Sequence, residues 1–298
     1  MHLVSRVDWS FQDAPPELPV AGSGFARLTL VGRETGALHS ELTVCRLQPG
    51  ADLPRHMHSF EEAFYVLSGQ VVLELDERRL LLETGDFALA PIGVAHGWSN
   101  AGDQEARWLT ISTPQRTAPD EDRTDTFTVS PLDAGRAAAR PAFGHPGNRW
   151  VGHYLGTPPQ AEALALPDPA RGRRPAGMDT AILAYSGISV RMLVDRTFGA
   201  ELLTMFTVDY EPNGAAQVHD HPFEETYFFL EGEIEAVLDG KEYTVRSGDV
   251  VFAGVGSTHG FFNTGSGRVR WIETQAPQPP ARHAYRWVDV WKRLEQHS

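Results

Sequence analysis

A register of 163 residues runs through this chain and constrains its fold more than any other feature. The stretch "PRHMHSFEEAF" at 54–64 returns as "QVHDHPFEETY" at 217–227, and "GDFALAPIGVAHGWSN" at 85–100 returns as "GDVVFAGVGSTHGFFN" at 248–263. The offset holds without insertion on both sides. Arg33, Gly36, Ala37 and Pro49 pair with Arg196, Gly199, Ala200 and Pro212 upstream, and Arg107, Trp108, Pro114 and Gln115 pair with Arg270, Trp271, Pro277 and Gln278 downstream. Two units of about ninety residues, 27–115 and 190–278, are therefore copies of one domain.

Each copy reads as short strands. In the first, "FARLTLV", "ELTVCRL", "EAFYVLSG", "QVVLELD", "RRLLLE", "DFALAP" and "RWLTIS" are separated by Gly, Pro, Asp or Asn turns. Strands this short and closely spaced predict an all-β sandwich or barrel. The expected organisation is a first barrel over 1–115, an inter-barrel segment over 116–180 and a second barrel over 181–298. The middle segment is Pro-rich and charged but carries Phe143, Trp150, Tyr154 and Leu155. It is expected to pack across a barrel mouth or to join the second sheet. At the C-terminus, Trp287, Val288, Trp291 and Leu294 share one helical face, which predicts a short helix.

Within the repeat, His56, His58 and Glu62 share one parity, as do His219, His221 and Glu225. Read as one strand, each trio sends two imidazoles and a carboxylate to the inner face. Burial of such groups without a common partner is costly, and a metal ion satisfies all of them. Phe60, Phe64 and Trp98 share that face in the first copy, and Phe223, Tyr227 and Phe261 in the second. Of these, Phe60, Trp98, Phe223 and Phe261 are the candidate substrate contacts. Glu61 and Glu224 have the opposite parity and are expected to be solvated or bonded at the rim. Asn100 and Asn263 are expected to hold a turn. His39, His145, His153 and His283 fit no ligand pattern.

The spacing of Gly50, His56, His58, Glu62 and Gly69, followed by Gly85, Pro91, Gly93, His96 and Asn100, resembles the two motifs of the cupin superfamily. The second copy keeps the pattern except at Asn213 for the first Gly and Gly254 for Pro; neither is a ligand, and Asn tolerates a left-handed turn. The resemblance implies two tandem jelly-roll β-barrels, a bicupin. It also implies two metal sites: His56, His58, Glu62 and His96, and His219, His221, Glu225 and His259. Such a mixed nitrogen and oxygen set suits a divalent transition metal, with iron expected first and Mn, Ni, Cu or Zn as alternatives. Four protein ligands leave open positions, which marks a catalytic site. Glu62 and Glu225 are also the candidate catalytic groups, as bases. The leading expectation is a dioxygenase of the quercetinase and gentisate type, acting on a small unsaturated or aromatic oxygen-bearing metabolite. The alternatives are a non-redox isomerase, decarboxylase or hydrolase, and a non-catalytic binding protein.

Composition narrows the partners. A net charge of −13 with pI near 5.3 argues against nucleic acid and anionic membranes. The start lacks the apolar core of a signal peptide and no run approaches a membrane span, so a cytoplasmic location is expected. The single cysteine, Cys45, allows no intramolecular disulfide and is expected to be a buried structural thiol. The duplication suggests a homo-oligomer or a pseudo-dimeric monomer.

Overall fold

The computed structural model describes residues 1–13, 24–116, 125–133, 137–145, 148–154, 185–279 and 286–287. It is all-β, and the described residues include one short 3-10 turn at Arg33–Thr35. Two compact units are present. One comprises Asp8–Leu155 with Leu193–Leu203; the other comprises Met1–Val7, the described part of Gly156–Met192, and Thr204–Ser298.

The first unit is a jelly roll of two antiparallel sheets. One sheet has the order Thr126–Thr128, Asp52–His58, His96–Ser99, Gln70–Leu75, Arg78–Glu83. The other runs Val151–His153, Asp86–Ala90, Glu61–Ser68, Ala106–Thr113, Glu41–Leu47, Phe25–Val31, Gln12–Asp13. Alternation explains the packing. Phe64 and Val66 on one face of Glu61–Ser68 join Leu73, Trp98 and Trp108 in a single core. Trp98 stacks on Trp108 with ring centroids 4.4 Å apart. Burial of aromatic side chains of this size stabilises the barrel by about 2–3 kcal/mol each.

The second unit repeats this plan as one ten-stranded sheet that curls around its core. The difference lies in Thr204–Asp220, a single strand of 17 residues. In the first unit the same stretch is split into Glu41–Leu47 and Asp52–His58. Gly50 takes φ 77° at the split, and its counterpart Asn213 takes φ 66°, so the left-handed turn survives the Gly-to-Asn change.

One edge of each barrel is covered by a segment from outside the repeat. Val151–His153 pairs with Asp86–Ala90, with Val151 opposite Ala88. His2–Arg6 pairs with Asp249–Ala253, with Val4 opposite Val251, the equivalent position. The partners of the equivalent aspartates correspond too. His153 Nδ1 lies 2.6 Å from Asp86, and Arg6 Nη1 lies 3.5 Å from Asp249. The described parts of the 116–180 segment thus extend both sheets of the first unit, through Thr126–Thr128 and Val151–His153. The helix expected over Trp287–Leu294 lies outside the described residues apart from its start. There, Arg286–Trp287 is a short strand beside His219 and Asp220.

Candidate metal centres and their cavities

The histidine-bearing strands are held in register by direct pairing. His96 lies opposite His56, and His259 lies opposite His219. Close approach at this crossing requires glycine next to the later histidine. A Cβ on Gly97 would stand 2.9 Å from Arg55 Cα, and one on Gly260 2.9 Å from Val218 N. Among the described residues, one nitrogen from each of His56, His58 and His96 falls within 4.8 Å of the others, and the same holds for His219, His221 and His259.

The reading of His56, His58 and Glu62 as one strand needs correction. The chain bends at Ser59–Phe60, so the two histidines lie on one sheet and Glu62 on the facing one. Parity is kept across the bend, and Glu62 still arrives inside: its Oε2 lies 3.2 Å from His96 Nε2 and 3.5 Å from His58 Nε2. In the second barrel Glu225 Oε2 lies 3.0 Å from both His221 Nε2 and His259 Nε2.

Second-layer hydrogen bonds aim these rings. His56, His96, His219, His221 and His259 each donate from Nδ1 to a backbone carbonyl, of Pro54, Val94, Gln217, Phe223 and Ser257 respectively, at 2.6–3.1 Å. A carbonyl only accepts, so Nδ1 carries a proton, and in the neutral ring Nε2 would offer its lone pair to a cation at the centre. His58 differs. Its Nδ1 donates to Thr126 Oγ1 at 2.9 Å, and that hydroxyl in turn donates to Asp125 Oδ1. The carboxylates are also held: Ser112 donates to Glu62 Oε1 at 2.8 Å, and Gln275 donates to Glu225 Oε1 at 2.7 Å. The Tyr227 hydroxyl donates to Glu225 as well.

Electrostatics reinforce the donor set. Burial, then the neighbouring His96 and His58 rings, lowers His56 to about 3; burial and His259 lower His219 to about 3. Burial also pulls His221 down, but the Glu225 carboxylate more than offsets this and its pKa is raised. Burial acts to raise Glu62 and Glu225, yet the imidazoles beside them hold both well below the usual carboxylate range. Each cluster is thus a ring of inward nitrogens with one buried carboxylate, a donor set that fits a divalent transition metal.

The expected pocket residues separate into two groups. Trp98 lines the first cavity and Phe261 the second. Phe60 instead stacks on His58 with centroids 4.2 Å apart, and Phe223 on His221 at 3.8 Å; among the described residues neither lines these two cavities. Asn100 donates from Nδ2 to the Leu47 and Gln104 carbonyls and accepts from Gly102 N–H, so it pins a turn, as Asn263 does through Glu211, Gly267 and Gly265. Glu61 and Glu224 are not solvated: each is 1% exposed. Glu61 faces away from its cavity but is covered by the Leu193–Leu203 segment of its own unit, and accepts the N–H groups of Glu201 and Leu202. Cys45 is buried, and burial pushes its thiol up to about 12.

Other cavity residues went unnoticed in the sequence. The first cavity, with ≈ 340 Å³ of empty volume, is also lined by Arg27, Thr110 and Arg116; the second, with ≈ 430 Å³, by Tyr210, Glu273 and Gln275. Strand parity was the available signal, since Trp108, Thr110 and Ser112 alternate inward, as do Trp271, Glu273 and Gln275. Burial and the adjacent Glu225 push Glu273 well above the carboxylate range, and Trp271 Nε1 donates to it at 2.9 Å.

Comparison with known proteins agrees with this architecture. The Cupin domain family matches residues 43–112 and again 206–274. Protein SchB of Streptomyces halstedii is 33% identical over 118 residues, which is 39% of this chain and 84% of that protein. Polyketide synthase CurC of Streptomyces cyaneus is 29% identical over 104 residues, 35% of this chain and 68% of that protein. Among solved structures, salicylate 1,2-dioxygenase from Pseudoaminobacter salicylatoxidans in complex with gentisate is similar with a TM-score of 0.68 at 17% identity, covering 93% of this chain and 82% of that one. Lactobacillus farciminis oxalate decarboxylase gives 0.58 at 17% identity, over 93% and 89%. The chain belongs to the cupin family and carries two cupin domains, each with its own histidine cluster. Among the described residues no helix is long and apolar enough to cross a membrane.

Proposed function

We propose that this chain is a metal-dependent enzyme, most simply a dioxygenase, acting on a small planar metabolite that bears an enol or phenol oxygen. The observation that carries the reading is the pair of inward histidine clusters, each opening on an aromatic-lined cavity with a buried carboxylate beside it. His56, His58, His96 and Glu62 would hold one ion, and His219, His221, His259 and Glu225 the other. The bound ion supplies Lewis-acid polarisation of an oxygen and, for iron, manganese or nickel, one-electron chemistry toward dioxygen. Trp98 and Phe261 offer flat apolar walls against which a ring stacks. Glu62 and Glu225, each buried beside the histidines, would take a proton from the substrate oxygen. Similarity to Polyketide synthase CurC favours phenols and β-diketones of polyketide type as substrates.

A non-redox reading, decarboxylation or isomerisation, draws on one particular: the second cavity holds a further buried carboxyl, Glu273, beside Glu225. Metal analysis and oxygen uptake separate the two. The chain purified without a tag and without oxygen is expected to hold about two equivalents of iron, manganese or nickel, with His56→Ala and His219→Ala each losing one. Oxygen consumption on a panel of catechols and β-diketones, abolished by chelator, supports the dioxygenase. Zinc at both sites with no oxygen consumption would remove it in favour of the non-redox reading.

A further inference from the structure

The two cavities are built from the same positions, so their differences show what each has been adapted to. Arg27 lines the first cavity, and its counterpart 163 residues later, Val190, lines the second. Arg116 lines the first, and its counterpart is Pro279. Glu41, which joins the two arginines, has Thr204 as its counterpart. All three charges are thus confined to one barrel. Among the described residues, those lining the second cavity include no arginine or lysine; they include Glu225, Glu273, Tyr210 and Tyr227.

The cationic group is fixed in place. Arg27 is 8% exposed and bonds through Nη2 to Glu41, to Thr43 Oγ1 at 3.1 Å and to Thr29 Oγ1 at 3.4 Å. Arg116 reaches the same Glu41 oxygen from Nη2 at 2.8 Å and from Nε at 3.2 Å. An ion pair that served only to join strands needs one cation for each carboxylate. Here two guanidiniums share one, so the Arg27–Arg116–Glu41 group is itself cationic, in a cavity wall whose other carboxylate, Glu62, sits among His58 and His96. Among the described residues every hydrogen bond from Arg27 leaves through Nη2, so the rest of its planar fork is not used by them. A guanidinium held in a desolvated wall is matched in geometry to a carboxylate or phenolate oxygen, and such charge-assisted bonds are the strong ones.

We propose that the first barrel's cavity receives a planar substrate bearing an anionic oxygen group, with Arg27, supported by Arg116 and Glu41, as its recognition element, and that the second barrel discriminates against such anions. The inference rests on reading the cavities as small-molecule sites, as in the function proposed above. It makes Arg27 a specificity residue.

The test is ligand binding by the full chain, followed by calorimetry, with benzoate and its neutral isostere benzamide as probes. The wild-type chain is expected to bind benzoate at least ~10-fold more tightly than benzamide, in line with one buried charge-assisted bond. Arg27→Met is expected to lose that preference while keeping benzamide affinity and both metal equivalents, and Arg27→Lys to restore part of it. The preference is expected to persist after metal removal, because it resides in the guanidinium. Should Arg27→Met fail to fold, Arg116→Met supplies the second variant, with a weakened preference as its expected result. Equal benzoate affinity in the wild type and Arg27→Met, or a wild type that favours benzamide, would overturn the proposal. Arg27-dependent benzoate binding in a chain that consumes no oxygen on any phenol would support this inference while removing the dioxygenase reading. Oxygen consumption without any carboxylate preference would do the reverse.

Discussion

Six histidines converge on two points, and five of them donate from Nδ1 to a backbone carbonyl. His58 is the exception, since its orienting acceptor is a side chain on a strand 68 residues further on. Thr126→Val removes that acceptor and is expected to weaken metal binding at the first site by about 10- to 100-fold, the usual cost of losing such a partner. Competition with a fluorescent chelator measures it, and affinity at the second site should stay unchanged. Acid sensitivity follows from the same rings. His56 and His219 titrate near 3 in the folded chain against about 6.5 when unfolded, so between these values the unfolded state binds more protons. Metal-free protein is therefore expected to lose stability as pH falls from 7 toward 3, by about 2 kcal/mol per ring at pH 5. His221, raised rather than lowered, offsets part of this in the second barrel. Urea midpoints at pH 7.5 and 5 check the sign: a metal-free chain more stable at pH 5 would contradict it.

Elements were legible where their signal is local. The candidate metal residues, the turn asparagines and the cavity aromatics Trp98 and Phe261 are marked by motif spacing and strand parity within each repeat. What lay hidden depends on chain far away. Glu61 reads as solvated or bonded at the rim, and nothing near it in the sequence shows that residues 201 and 202 will donate their N–H groups to it. The bend at Ser59–Phe60 leaves parity intact, so two strands on facing sheets read as one. The edge strand His2–Arg6 is five residues long, and its partner lies about 245 residues later. Without this cover, Asp249–Ala253 would expose a row of unpaired backbone groups. Deletion of residues 1–7 is expected to lower the melting temperature and promote self-association, read by thermal scanning with light scattering. A shortened chain that melts and scatters like the parent would show that the strand is dispensable.

At the scale of the whole molecule, duplication has preserved one set of residues and released another. The candidate metal residues, the turn asparagines and the paired tryptophans Trp108 and Trp271 are the same in both copies. Cavity walls have diverged in charge, with arginine at 27 against valine at 190, and threonine at 110 against glutamate at 273. The overall charge of −13 repels anions at long range, so the local cation in the first cavity acts only once a ligand has arrived.

The edge strands carry a lesson about how the chain divides. Neither ninety-residue repeat contains the segment that seals its own rim: one borrows Val151–His153 from after its end, the other His2–Arg6 from the opposite terminus. Neither barrel is a contiguous stretch of the chain: the first also takes Leu193–Leu203 from beyond its edge strand, and the second takes Met1–Val7. Dividing this protein into halves therefore calls for a circular permutation that splices the opening residues onto the second repeat, rather than a simple cut between the two.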